Sequence, residues 1–333
     1  MTDNQRPGES TVWKLLEIRG IDQGRGRVVA VANQKGGVGK TTTSVNLAAG
    51  LALRGHSVLV VDVDPQSNAT TGLGVDHRRI EQSTYDLIVD RTPLTEIIMP
   101  TAIKGLDLAP GSPDLAGAEV ELVAASERES RLASALMGTS DGYDVIFLDC
   151  PPSLGLLTVN ALVAAQDLLV PVQCEYYALE GLGQLLDTTD RVHSGLNPHL
   201  RIGGVLLTMY DGRTKLSSQV ADEIKNHFGE FVFDTVVPRS VRLSEAPSFG
   251  EPVVTLDPSA RGALSYRLLA AEFETRFGLA THVPEPPPRT GSPPLEPSAR
   301  AVQGPGGRGF GVKVAEPPGL ESSWPPPDPW RTA

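Results

Sequence analysis

Cysteine is scarce in this 333-residue chain. The two residues present, Cys150 and Cys174, lie far apart and form no C-x-x-C pair. That argues against a disulfide framework and, within one chain, against a zinc knuckle or an iron–sulfur cluster, so both are read as small core residues. Aromatic residues make up 5% of the chain against 40% hydrophobic, so a sizeable core has to be aliphatic. No apolar run approaches the ~18 residues that a membrane span needs. The polar, mixed N-terminus lacks the pattern of a signal peptide. A cytoplasmic protein without membrane contact is expected. Positive charge is also in deficit: the net charge of −11 does not suit a bulk nucleic-acid binder.

The deficit is uneven. Residues 201–267 carry eight Lys/Arg and eight Asp/Glu, and residues 282–333 carry five of each, so both stretches are neutral. Any contact with DNA therefore needs a local patch in the later third of the core.

Apolar strand-like runs alternate with helix-like segments between about Arg27 and Gly278. Strands are expected at Val28–Asn33, Ser57–Val61, Leu106–Ala109, Tyr143–Leu148, Asp167–Val172 and Ile202–Leu207, with a weaker one at Phe231–Val237. Helices are expected at Thr41–Arg54, Ala116–Ala125, Arg128–Met137, Gly155–Ala165, Leu179–His193, Lys215–Phe228 and Gly262–Phe277. Continuous Val/Leu/Ile strands between helices predict an α/β fold: a doubly wound, mostly parallel sheet flanked by helices. Residues 1–26 read as a flexible N-terminal extension whose one apolar stretch, Val12–Ile18, suits a short amphipathic helix: an arm docking on the domain or a disordered extension, with a membrane or partner anchor disfavoured because basic residues are few. Residues 279–333 read as a Pro-rich tail, with 14 of the chain's 28 prolines in the last 52 residues. That composition predicts a disordered or polyproline-like segment, and Trp324 and Trp330 give it two points for docking a partner.

Chemistry is concentrated in Lys35-Gly36-Gly37-Val38-Gly39-Lys40-Thr41-Thr42, directly after the first strand. A strand, a Gly-rich turn, Lys-Thr and then a helix form a phosphate cradle, in which backbone N–H groups point inward at phosphate oxygens. Lys40 is placed to reach the β/γ-phosphates and Thr41 to offer its hydroxyl to Mg²⁺. The usual G-x-x-x-x-G-K-[ST] pattern requires glycine where this chain has Gln34, and a second lysine, Lys35, opens the turn instead. Two further motifs end strands in acid. In Val60-Val61-Asp62-Val63-Asp64-Pro65, two carboxylates two residues apart on a strand would face the same way, one orienting water and one near the metal. In Val145-Ile146-Phe147-Leu148-Asp149, four apolar residues and then Asp predict a Mg²⁺-binding strand end, and Pro151-Pro152 stiffens a loop able to sense the γ-phosphate.

The two-lysine loop resembles that of the deviant Walker A ATPases. With Asp62–Thr70, Asp149, Gln173–Leu182 and Val237–Ser248, the chain resembles the ParA/Soj partition ATPases over residues 27–278, and more distantly MinD. The resemblance implies ATP and Mg²⁺ as cofactors. It implies Lys35 as the lysine that reaches a partner subunit's nucleotide, Lys40 and Thr41 as phosphate and Mg²⁺ ligands, Asp64 as the carboxylate that positions water, and Asp62 and Asp149 at the metal. It also implies an ATP-dependent homodimer that binds DNA non-specifically through Arg213 and Arg242, and a ParB-type partner that stimulates hydrolysis. A nucleoid-associated protein that segregates a chromosome or plasmid is then expected. Lys215 and Arg239 would extend the DNA patch. Met209 and Pro238, which end late segments, are expected near the adenine. Asp-Gly-Arg-Thr at 211–214 departs mildly from the family's Asp-Ala-Arg-Thr.

A MinD-like membrane-cycling regulator needs a C-terminal amphipathic basic helix, which a Pro-rich tail does not form. A nitrogenase-reductase-like donor lacks suitable cysteines, and a biotin-pathway synthetase leaves the later arginines unexplained. A positioning ATPase for another cargo fits the same residues.

Overall fold

The structure is a computed structural model that describes residues 26–175 and 178–280, the side chains of 178–181 excepted. The Val12–Ile18 stretch, Tyr176-Tyr177, the Pro-rich tail and its two tryptophans lie outside the described residues. Seven strands are present: β1 (Arg27–Val31), β2 (Val58–Asp62), β3 (Met99–Pro100), β4 (Leu106–Ala109), β5 (Val145–Asp149), β6 (Asp167–Gln173) and β7 (Arg201–Thr208). They form one sheet in the order β3-β4-β2-β5-β1-β6-β7. Every pairing is parallel except that of the two-residue edge strand β3 with β4. The described helices of six residues or more are α1 (Lys40–Ala52), α2 (Leu115–Glu121), α3 (Arg131–Leu136), α4 (Leu156–Ala164), α5 (Ala178–Gly195), α6 (Lys215–Phe228) and α7 (Arg261–Phe277).

The central strands are apolar on both sides because both faces are covered. Val28 and Ala30 of β1 join a core with residues of α2, α3, α4, α5 and α6, while Val29 and Val31 join a second core with α1 and α7. α1 lies nearly buried against α7. A Cβ at Gly50 would sit 3.2 Å from the Ala270 Cβ, so the glycine allows the close approach of the two helices.

The expected strand at Phe231–Val237 is not formed; Val232 makes only an isolated bridge to Val205. The backbone N–H groups of Asp234 and Thr235 donate to the Glu272 carboxylate at 2.7 and 2.9 Å, which takes the donors a ladder would need. The region 68–100, left without helices by the sequence reading, contains short ones at Asn68–Gly72, Thr84–Ile88 and Leu94–Ile97. Ser83 and Asp86 cap the second reciprocally, a signal that the S-x-x-D spacing carries.

Ion pairs close the N-terminal end of the sheet. Asp167 receives both Arg27 and Arg201. Glu274 of α7, 5% exposed, receives Arg54 Nε at 2.6 Å and lies 2.8 Å from His56 Nε2. Burial alone would raise the Glu274 carboxyl; hydrogen bonds from Arg54 and His56 outweigh it and hold the group below its usual range. A lowered folded-state pKa stabilises fully above the unfolded value and is lost as pH falls through the folded one. Glu274→Gln is therefore expected to cost about 2–3 kcal/mol at pH 7, less than a fully buried pair would. In denaturant titrations, the difference from the parent chain should shrink below about pH 4.

Candidate nucleotide site

β1 delivers the chain to the C-terminal edge of the sheet between β5 and β6, the crevice where open α/β sheets bind ligands. Asn33 shapes the turn that follows. Its Nδ2 donates to the Pro171 carbonyl at 2.7 Å, and its Oδ1 accepts from the Lys35 N–H at 3.0 Å. Gly37 and Gly39 adopt left-handed backbone with φ of 73° and 90°, conformations that cost glycine little. Gly39 then caps α1, its carbonyl accepting the Thr43 N–H at 2.9 Å. The far side of the loop is tied to β7, where Thr208 Oγ1 donates to the Val38 carbonyl at 2.8 Å. Lys40 is buried and its Nζ donates across the loop to the Lys35 carbonyl at 3.3 Å. Burial pushes its ammonium below the usual range, and Asp149 and Asp64 partly offset that.

The carboxylates converge beside it. Asp149, the last residue of β5, accepts from Thr41 Oγ1 at 2.8 Å on one oxygen and from Ser44 Oγ at 2.7 Å on the other. Asp62 is its register partner on β2. Asp62 accepts the N–H and hydroxyl of Thr70 at 2.8 and 2.7 Å, and the Asp64 N–H at 3.2 Å. It is closed off by Gly111, where a Cβ would lie 2.9 Å from the Asp62 carboxyl carbon. β2 ends at Asp62, so Asp64 belongs to the turn and not to the strand. The expectation of two carboxylates sharing one strand face is corrected accordingly. Asp64 is itself buried and accepts the Gln66 N–H at 2.9 Å.

Asp62 and Asp149 are fully buried. Burial, and then the neighbouring carboxylates, push both carboxyls above the usual range. A divalent cation would supply the charge that this spot lacks. Among the described residues no group of three or more His, Cys, Asp or Glu forms a metal cage. Mg²⁺ needs only one or two protein ligands and completes its shell from phosphate and water, and Thr41 and Asp149 are placed to supply them. The loop N–H groups and the N-terminus of α1 suit the phosphates.

Lys35 lies on the rim, its Nζ 3.5 Å from Glu175, which also receives Arg239 at 3.4 Å and Gln173 at 2.6 Å. Met209 follows the Thr208 that holds Val38, and the next residue, Tyr210, bridges Pro238. Arg213 is exposed and held two-pronged by Asp211 at 2.9 and 2.8 Å. Arg242 meets Glu245 at 3.0 Å and Asp257 at 3.4 Å. A groove of about 190 Å³ between α1 and residues 243–252, lined by Thr42, Asn46, Leu243 and Pro247, sets the Arg242 segment against the loop helix. The sequence reading gave no role to Ser44 or Thr70, and it placed Thr208, with Met209, only near the expected base pocket. Ser44 had a signal: three residues after Thr41, it lies on the same helix face.

A family profile described as an AAA domain matches residues 26–202. The sporulation initiation inhibitor protein Soj of Bacillus subtilis (strain 168) is 56% identical over 247 residues, 74% of this chain and 98% of that protein. The chromosome partitioning protein ParA of Myxococcus xanthus (strain DK1622) is 51% identical over 251 residues, 75% and 89% of the two. Among solved structures, the cobyrinic acid a,c-diamide synthase of Mycobacterium smegmatis, with bound ADP and magnesium, matches with a TM-score of 0.65 and 38% identity, covering 74% of this chain and 92% of that one. No described helix is long and apolar enough to cross a membrane.

The raised carboxyls set the sign of one pH effect. In chelator and without nucleotide, the folded state binds more protons than the unfolded chain, so stability is expected to fall as pH rises above about 4 towards neutrality. Asp149→Asn should flatten that dependence and raise the ligand-free midpoint at pH 7 by about 2–4 °C, the shift that 1 kcal/mol gives a domain of this size. It should also lose the stabilisation that Mg²⁺ with ADP gives the parent. Thermal melts across pH, with and without ligand, check both.

Proposed function

The chain belongs to the Soj/ParA family of chromosome-partitioning ATPases, and from that premise we propose that it is an ATP-driven partition switch that binds DNA as a dimer. The observation that carries the reading is the Asp149 clasp: a buried carboxylate fixed by Thr41 and Ser44 beside Lys40, on a loop that carries the second lysine, Lys35. The ATPase domain is proposed to span residues 27–278, with the two tails outside it.

Bound ATP with Mg²⁺ supplies the phosphoanhydride and the cation that screens its charge. The chain's own residues do the positioning. Loop N–H groups and the Lys40 ammonium hold the phosphates. Asp149 accepts the Thr41 hydroxyl proton, which turns that oxygen's lone pairs towards the metal. Asp62 holds Thr70 and the Asp64 N–H, which fixes the turn carrying Asp64. Asp64 orients the attacking water and takes up its proton. Met209 and Pro238 flank the base.

In the dimer, Lys35 exchanges Glu175 for the other subunit's nucleotide. Arg213 and Arg242 exchange their carboxylates for DNA phosphates, with Lys215 and Arg239 at the margin of the patch. The patch on one subunit is small and its arginines are internally paired, so two subunits held together bind by avidity. The family relationship supports a ParB-type partner that stimulates hydrolysis and ends this state, and with it a nucleoid-associated protein.

DNA binding should be measured at one stated salt concentration without nucleotide, with ADP and with ATP. The parent is expected to bind only with ATP, and Lys35→Ala and Arg242→Ala are expected to lose that binding. Absence of binding under every nucleotide would overturn the reading.

A further inference from the structure

A second groove, of about 280 Å³, lies among the turns that follow β2 and the helix before β5. Its floor is apolar: Leu87 and Leu94 are almost fully buried and Ala135 half-buried, while Met137 stands 75% exposed at one end. The other end is polar. Arg91 and Glu127 pair across it at 3.0 Å, and both have left-handed backbone, with φ of 61° and 54°. Such outliers persist only where the surroundings hold them, and they cluster at ligand clamps. Arg131 donates to the Ser126 and Val89 carbonyls at 3.1 and 3.3 Å, so the wall is rigid.

The end at Met137 and Thr139 adjoins the point where the chain enters the domain. Gly26 lies so close to the Ser140 turn that a Cβ there would be 2.6 Å from the Ser140 carbonyl oxygen, and Thr139 lines the groove. The segment upstream contains the apolar residues Val12, Trp13, Leu15, Leu16 and Ile18, with Lys14 and Glu17 between them. The eight steps from Ile18 to Gly26 reach about 26–29 Å when extended, against a groove wall formed by the six residues of α3.

We propose that this groove is the docking site of the chain's own N-terminal segment Val12–Ile18. Apolar side chains cover Leu87, Leu94 and Met137, and the tether keeps the segment at high effective concentration. The inference stands independently of the partition reading.

The described domain contains no tryptophan: the three are Trp13, Trp324 and Trp330. The full-length chain carrying Trp324→Phe and Trp330→Phe thus reports on Trp13 alone. Its emission is expected to be blue-shifted, and acrylamide quenching several-fold weaker than in the same chain in denaturant. Ala135→Glu with Met137→Glu, at half-buried and exposed positions, should restore free quenching with the thermal midpoint unchanged. Trp13 quenched as freely in the native as in the denatured chain would overturn the proposal. So would shielding that survives the double substitution. Shielding that vanishes on dilution would assign the groove to a second copy and overturn the intrachain reading; shielding independent of concentration and lost in the double variant supports it.

Discussion

The Asp149 clasp is the contact on which the rest of the site depends. Asp149 ends β5 in register with Val31 of β1 and Asp62 of β2, and its two oxygens take hydroxyls from the first turns of α1. One carboxylate thereby locks the loop helix to three strands. The loop between them is pinned at two further points: Asn33 holds its start to β6 and Thr208 holds its middle to β7. Lys40 lies across the cradle, its Nζ on the Lys35 carbonyl.

The two ends of the sheet treat charge differently. At the N-terminal end every buried acid has a cation: Asp167 has two arginines and Glu274 has Arg54. At the C-terminal end the buried acids Asp62 and Asp149 face each other across the ladder, satisfied mainly by hydroxyl and amide donors. Hydrogen bonds meet the oxygens' demand for donors without removing their charge. That asymmetry marks one edge of an otherwise uniform apolar sheet as the place where chemistry occurs.

Much of this was legible in the sequence because it was written locally. The strand–loop–helix spacing around Lys40, and the apolar run ending at Asp149, each fix their own geometry within a few residues. What was not legible depended on distant partners. Phe231–Val237 has strand composition and donates to β7 from Phe233 and Val237, but between them Glu272, far along the chain, takes the N–H groups of Asp234 and Thr235. Asp62 and Asp64 carry strand spacing, but the strand ends at Asp62, whose carboxylate takes the Thr70 N–H and hydroxyl, and Asp64 falls in the turn. Thr208 reads as the end of a strand near the base, and its hold on the Val38 carbonyl shows only once β7 is laid beside the loop. The pairing of Arg213 with Asp211 was available from the spacing alone; that of Arg242 with Asp257 was not.

The unmatched charge under the loop ties folding to metabolism. A ligand that binds only the native chain at a hundred times its dissociation constant lowers the unfolded fraction about a hundredfold, about 2.7 kcal/mol. With two buried carboxylates raising the energy of the empty state, that margin is a large part of what a domain possesses. Proteases act on the opened fraction. Where degradation acts on that fraction, how long the chain lasts is tied to how fully its nucleotide site is filled.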